Sequence, residues 1–385
     1  MLPAEKRCQA RVCNFEHIAS ILWHTRAVPK SSKPATNSNP ATEASGRKAP
    51  ASLATLSAQL GLSAAAISRV LNRAEAAKSI PKATQDRIFA AAKKVNYRPN
   101  AVARSLRHGR SMTIGVLVPE VSEGYTTLVL SGLEQGLLQA GYVYFLISHH
   151  HRIEVVERAE TMLLERSVDG IVAIDTLLPR PTQLPTVTVS CPDSHESVTN
   201  IVLNHRRAAE LAIDHLTGLG HRRIALIKGQ SFSSDTEPRW QAIQQAAARA
   251  RLKLDPRIFA QLEGDSPGHE PGYFAAQSLL AAKAPFTALF TFNDVAAIGA
   301  IRALREAGLR VPQDVSVVGF DDVQSAAFQN PGLTTVRQPL RNMGMLAAEA
   351  IVRQIAAAVD HDSPRQVMVD PELIVRESTC PPPKV

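Results

Sequence analysis

The chain has 385 residues, 43 Lys and Arg against 35 Asp and Glu, 45% hydrophobic and 5% aromatic residues, and four cysteines. That apolar content excludes wholesale disorder, the length allows two or three cored domains, and no apolar run is long enough to span a bilayer. The charge is uneven: residues 1–110 hold 19 Lys and Arg and 5 Asp and Glu, a balance of +14, while residues 111–385 hold 24 and 30, a balance of −6. A basic end on an acidic body is the asymmetry of a nucleic-acid-binding module joined to a part with a different partner.

Glu5, Lys6, Arg7, Arg11 and Glu16 interrupt any apolar core of a secretory signal, so a cytoplasmic location is expected. Cys8, Cys13, Cys191 and Cys380 are scattered and imply no disulfide framework. Cys8, Cys13, His17 and His24 fit none of the usual zinc-finger spacings, so neither metal nor cofactor is expected. Residues 1–50 read as a flexible N-terminal extension, with a Pro/Ser/Thr/Asn/Ala/Lys mixture from Ala27 to Ser52. Its first 26 residues are either a short helix around Phe15 to Trp23 or an upstream extension from a misplaced start.

From Leu53, LATLSAQLGLSAAAISRVLN places Leu53, Leu56, Leu60, Leu62, Ile67, Val70 and Leu71 at helical spacings around Gly61. This predicts two short helices and a tight turn, with Ser63 as N-cap of the second. A third helix is predicted over 82–94, with Ile88, Ala91 and Ala92 inward. After Met112 the pattern becomes strand and helix in alternation. Strands are predicted at 113–118, 142–148, 170–174, 186–189, 223–227, 288–290 and 316–320. Helices are predicted at 127–140, 155–166, 205–218, 237–251, 295–307 and 340–358. This rhythm means doubly wound parallel sheets, and some 270 residues exceed one such domain, so two similar lobes with a cleft are expected.

GLSAAAISRVLN at 61–72, NYRPNAVARSLRHGRSMTIGVLVPE at 96–120, GHRRIALIKG at 220–229, NDVAAIGA at 293–300, and VPQDVSVVGFDD with LTTVRQP at 311–339 together resemble the lac and galactose repressor (LacI/GalR) family. The resemblance runs from about residue 52 to 378. It implies an all-α helix-turn-helix DNA-binding domain at 51–98, a hinge helix at 99–111, and a two-lobed α/β effector domain of periplasmic-binding-protein type at 112–378. A tail follows at 379–385.

In such a family the second helix enters the major groove of a pseudo-palindromic operator, which assigns Ala64, Ala65 and Arg69 to base edges. Arg69 can grip guanine or hold a phosphate, and an alanine can meet a thymine methyl, although Ala64 to Ala66 also read as plain helix formers on an exposed face. Ser63, Ser68, Asn72 and the lysines near 78–94 are expected at phosphates. In the hinge, Asn100 caps, Arg104 and Arg107 flank, and Leu106 is the minor-groove wedge. Two departures stand out. The turn between Asn72 and Ile80 is about two residues longer than usual, and Gln85 replaces a common arginine, which removes an expected phosphate contact.

The same resemblance implies a small polar effector, a sugar or sugar derivative, between the lobes. It assigns Arg239, Asn293 and Asp321 to the ligand, with Tyr125 and Thr126 as the first-lobe pair; Ser122 and Asp175 lie at further strand ends. Each has an alternative: Asn293 as a helix cap, Asp321 or Asp322 as a hinge or cap residue, Arg239 paired on the surface with Glu237 or Asp235, and Trp240 as core. His149, His150 and His151 read as a solvated tract rather than a metal site.

No GxSxG elbow, P-loop, GxGxxG after a strand, HExxH or paired-cysteine site is present, so no enzyme is expected. The rival reading is a sugar-binding transport protein, which needs an export signal and no basic helical module. Expected partners are therefore an operator duplex, a sugar-like effector and a second copy of the chain in a homodimer, with no membrane.

Overall fold

The structure is a computed structural model that describes residues 52–72, 75–97, 109–122, 124–191, 198–356 and 365–384. It divides into two compact units at Arg98/Pro99. The extension and the hinge calls at Asn100, Arg104, Leu106 and Arg107 lie outside the described residues.

The first unit consists of α1 (Leu53–Leu60), α2 (Ala64–Leu71) and α3 (Lys82–Lys94). Ser52 starts α1 with a capping box shared with Thr55, and Gly61 ends it in the left-handed region at φ 64°. Ser63 caps α2, its hydroxyl accepting from the Ala66 amide at 3.2 Å. Leu56, Ile67, Val70, Ile88, Ala91 and Ala92 form the buried centre. The long turn after Asn72 contains a 3-10 segment, Glu75–Ser79. Gln85 answers the need this turn creates: its side-chain amide donates to the Ala77 carbonyl at 3.0 Å and the Ile80 carbonyl at 2.8 Å. The residue that departs from the family pattern thus holds the turn that departs from it.

The second unit begins with β1 (Thr113–Val118), α4 (Tyr125–Gln139), β2 (Val143–Ser148), α5 (Ile153–Leu164), β3 (Gly170–Ile174), β4 (Thr186–Val189) and β5 (Thr199–Leu203). Then α6 (His205–Gly218) leads into the second lobe: β6 (Ile224–Lys228), α7 (Thr236–Arg249), β7 (Phe259–Gln261), α8 (Glu270–Ala281), β8 (Ala288–Thr291), α9 (Asp294–Glu306), β9 (Ser316–Asp321), the short α10 (Gln324–Ala327) and β10 (Thr334–Arg337). The chain returns through α11 (Leu340–Ala356) to β11 (Gln366–Val369) of the first lobe and crosses again to β12 (Glu372–Ile374) of the second.

Each lobe holds a six-stranded sheet, in the orders β11-β5-β4-β3-β1-β2 and β12-β10-β9-β8-β6-β7. Among the described residues the strand pairings are parallel except β10 with β12. Burial on both faces explains the unbroken apolar runs. In β1, Ile114, Val116 and Val118 pack with Val129 and Leu133 of α4 and with Met343 of α11, while Leu117 packs with Ala159 and Leu163 of α5.

Helices α4 and α11 meet backbone to backbone. A Cβ at Gly132 would collide with the Arg341 carbonyl, one at Gly344 with the Val129 carbonyl, and one at Gly136 would sit 2.6 Å from the Ala348 Cβ. The second lobe repeats the device with Gly272 of α8 against the Ala296 backbone and Gly299 of α9 against His269.

The strand and helix expectations hold with one- or two-residue shifts at the ends, but the alternation is denser than predicted. No strand is predicted at β5, β7, β10 or β11 and no helix at α8 or the short α10.

Candidate functional site

Every residue that lines the interlobe cleft follows the carboxyl end of a strand or opens the next helix, where doubly wound sheets leave a crevice. The first lobe contributes Ser122, Tyr125 and Thr126 after β1, His151 after β2 and Asp175 after β3. The second contributes Asp235 and Arg239 after β6, Asp265 after β7, Phe292 and Asn293 after β8, Asp321 at the end of β9, and Gln338 after β10. The cavity measures about 130 Å³, room for about ten waters and hence for a compact polar molecule of similar heavy-atom count. All seven effector residues expected from the sequence lie on this one surface.

Arg239, only 3% exposed, is the centre of the second-lobe wall. Its guanidinium carbon sits 3.7 Å from the Phe320 ring centroid and 4.3 Å from that of Phe292. Nη1 donates to the Phe292 carbonyl at 2.6 Å and Nη2 to Asp235 Oδ2 at 3.2 Å, while Nε has no partner among the described residues. The expected pairing with Asp235 is real, and it is buried rather than on the surface. Asp235 Oδ1 also lies 3.3 Å from His205 Nε2. Burial pushes the Asp235 carboxyl up, but His205 and then Arg239 outweigh it and hold the group below its ordinary range.

Asn293 does what its capping alternative requires while lining the cleft: its Oδ1 accepts from the Ala296 amide at 2.8 Å and starts α9. Asp321 and Asp322 divide the two roles considered for them. Asp322 is ion-paired with Arg337 at 2.7 Å and Arg376 at 2.6 Å. Asp321, at φ 109°, is held in a backbone region costly for a side chain and faces the cleft. Gln338 Nε2 donates to Asp321 Oδ1 at 2.6 Å, and Gln338 Oε1 is left without a partner among the described residues. Burial, opposed by Arg239 and Gln338, pushes the Asp321 carboxyl up to about 7.

Asp175 bridges the lobes: Ser234 donates to its Oδ1 from the backbone at 3.1 Å, and the Ser234 hydroxyl lies 2.5 Å from the same oxygen. Burial, then the Asp235 charge, push Asp175 up to about 7. Tyr125 stands at the start of α4, its hydroxyl against Ser190 without reaching hydrogen-bond geometry, and burial raises it well above the usual phenol range.

The histidine tract corrects the expectation of a solvated run. Only His150 is exposed. His149 is buried with Nε2 3.0 Å from the Thr176 hydroxyl, and burial lowers it to about 4. His151 stacks across the cleft mouth on Phe232, with ring centroids 3.8 Å apart. Among the described residues no His/Cys/Asp/Glu group is arranged to hold a metal ion. Trp240 does not line the cleft; it packs edge-on against Phe259 at 5.1 Å.

Sequence reasoning missed Asp235, Phe292, Phe232, Asp265 and Gln338 as cleft residues. Asp235 had a usable signal, an acid four residues before Arg239 at a helix start. Gln338 had none, because its partner is 17 positions away across a strand crossover.

The Asp321 carboxyl makes a test of its own. Its raised value means that the folded state keeps a proton that the unfolded chain releases near pH 4, so stability falls as pH rises from about 4 to 7 and then levels off. Asp321→Asn keeps the oxygen that accepts from Gln338 and removes the charge. We expect the variant's stability relative to wild type to rise through that window by on the order of 4 kcal/mol, reached by pH 8. Melting curves at half-unit pH steps check this; an advantage that is flat with pH rejects it.

On the three-helix unit, Ser63, Ala64, Ala65, Arg69 and Asn72 are exposed along one stretch of α2, and Ser68 is half-buried. Asn72 folds back, its Nδ2 donating to the Ser68 carbonyl at 2.9 Å, so it closes its own helix.

Comparison with known proteins matches residues 213–379 to the periplasmic binding protein-like domain family. The chain is 32% identical over 326 residues to the HTH-type transcriptional repressor PurR of Aliivibrio fischeri strain MJ11, covering 82% of this chain and 95% of that protein. It is similar in structure to the lac repressor dimer bound to operator and the anti-inducer ONPF, with TM-score 0.76, 26% identity, and coverage of 86% of this chain and 100% of the other. It is also similar to the transcriptional regulator CelR–cellobiose complex, with TM-score 0.64, 27% identity, and coverage of 85% and 99%. The helix-turn-helix unit, the paired doubly wound lobes and these likenesses agree: the chain belongs to the LacI family of DNA-binding transcriptional regulators.

Proposed function

We propose that the protein is a repressor that binds a pseudo-palindromic operator as a homodimer in the cytoplasm and is controlled by a small, sugar-like molecule in the interlobe cleft. The observation that carries this reading is the cleft itself. Seven polar or aromatic residues from five strand ends converge there, and buried hydrogen-bonding atoms of Arg239 and Gln338 remain unpaired among the described residues. An unpaired buried polar atom costs free energy until something fills it, and a small ligand with hydroxyls does so. Ser122, Tyr125, Thr126, Asp175, Arg239, Asn293 and Asp321 are its proposed contacts.

DNA contact falls to α2, with Ala64, Ala65 and Arg69 at base edges and Ser63, Ser68 and Asn72 at the backbone. Asn100, Arg104, Leu106 and Arg107 are the proposed hinge contacts. Self-association is supported by Leu138, Val143, Phe145 and Leu146, exposed apolar residues of α4 and of the edge strand β2. Filling the cleft shifts the lobes and so the two DNA-binding units. A coupling of about 1–3 kcal/mol changes operator affinity five- to 150-fold.

The test is fluorescence anisotropy with operator sequences selected from random duplexes. Arg69→Ala is expected to weaken the selected site by about 1–3 kcal/mol and to relax preference at one base per half-site. A uniform loss on all sequences, with the salt slope reduced by about one, would move Arg69 to a phosphate. Failure of the full chain to select any duplex would overturn the regulator reading.

A further inference from the structure

The charges around the cleft do not balance. Glu120, Asp175, Asp235, Asp265 and Asp321 line it, against Arg239 as the one Lys or Arg among the described lining residues. Arg239 is already committed to Asp235, to the Phe292 carbonyl and to two aromatic rings. Asp175 and Asp321 have no ion-pair partner among the described residues; they accept only from Ser234 and Gln338. A second, independent observation comes from Gln338. It is 3% exposed, it lines the cavity, and its Oε1 is an acceptor with nothing to accept.

An anion brought here would meet an excess of carboxylates, offset among the described residues by the one unpaired Nε of a guanidinium whose other two nitrogens are already bonded. A ligand rich in donors meets Asp175, Asp321 and Gln338 Oε1, all acceptors. One that carries a positive charge also supplies the counter-charge that buried carboxylates need. Tyr125, Phe232 and Phe292 give the same cavity apolar surface for the carbon skeleton.

We propose that the effector is a small polyhydroxylated amine of amino-sugar type, bound as its ammonium form between Asp175 and Asp321, and that sugar phosphates and sugar acids are excluded. This rests on the sensor reading above and narrows it to one ligand chemistry. Burial holds both carboxyls up at about 7, so at neutral pH they are poised to take either a proton or a cation.

The experiment uses the full chain at pH 7.5, with thermal melting and titration calorimetry. The probes are glucosamine, galactosamine and mannosamine, each beside its neutral parent and its N-acetyl derivative, together with gluconate and glucose 6-phosphate. N-acetylation keeps the ring hydroxyls and removes the charge. The expected result is a saturable rise in midpoint with at least one amine. Affinity for that amine should drop at least tenfold on N-acetylation and at least tenfold in Asp321→Asn. Because the acetyl comparison uses the wild-type chain, it stands even if the variant folds poorly. The proposal is overturned if gluconate or glucose 6-phosphate saturates the cleft, if a neutral parent binds as tightly as its amine, or if no amine binds. Operator affinity measured in parallel separates the two readings. A neutral sugar that changes operator affinity leaves the sensor standing and removes the ammonium; a chain that selects no operator fails at the earlier step.

Discussion

Replacing Arg239 by alanine is expected to cost about 3–5 kcal/mol of folding stability, the largest loss we anticipate from any single change near the cleft. The guanidinium fills the space between the rings of Phe292 and Phe320, holds the Phe292 carbonyl, and balances Asp235 four residues earlier on the opening turn of α7. Its removal leaves a cavity between two aromatic faces and a buried carboxylate with His205 as its remaining ionisable partner. Arg239→Met separates the contributions, because it restores apolar volume without charge. In the pair Asp235→Asn with Arg239→Met, neither buried charge remains, and much of the loss is expected to return. Urea unfolding of wild type, Asp235→Asn, Arg239→Met and the double variant gives the coupling directly. An Arg239→Ala chain within about 1 kcal/mol of wild type would show that the ion pair and the aromatic sandwich carry little of the lobe's stability.

Gly132→Ala is expected to be the next most damaging change, although it adds a single methyl group to a residue on a helix. The new Cβ would meet the Arg341 carbonyl of α11, a backbone atom that cannot turn aside as a side-chain tip can. Helices α4 and α11 must then separate, and the Val129, Leu133 and Met343 contacts that close the first-lobe core open with them. Overpacking of this kind costs about 1–3 kcal/mol and more when backbone must move. At roughly 2–4 °C per kcal/mol, the midpoint should fall by several degrees. Gly218→Ala, at the end of α6 with nothing within 4 Å of the added carbon, is the matched control. It should leave the midpoint unchanged or raise it slightly, since alanine is the better helix former. Equal behaviour of the two variants would contradict the close approach of α4 and α11.

How much of this was legible in the chain depended on whether the relevant physics was local. The three small helices follow from apolar spacing, Ser63 and Gly61, all within a few residues of one another. So does β1, because a strand buried on both faces needs no information about its neighbours to look apolar. Short strands such as Phe259–Gln261 and Gln366–Val369 exist through pairing with segments far away in sequence, and three or four residues carry no period. Helix α8 carries Pro271 and Gly272 in its first turn, two residues that weaken a helical signal; the proline suits a first turn, and the glycine is there for contact with α9. In the cleft, positions were legible and states were not. Arg239 and Asp321 could be placed, and Asp235 stood out as a partner for the arginine, but nothing local showed that this pair is buried or that Asp321 shares Gln338 with the route between lobes.

That last position has a mechanical consequence. Gln338 lies between β10 and α11, on one of three stretches where the chain crosses between lobes, and another crossing is tied by Asn204 Nδ2 donating to Asp370 Oδ1 at 2.8 Å. Three ribbons, two of them fastened to each other, act as a fulcrum: they permit one lobe to swing against the other and resist sliding. A molecule that bonds the free oxygen of Gln338 therefore pulls on the fulcrum itself, one side chain away. In the proposed regulator, an effector bound there would act first on the crossings that set the angle between the lobes.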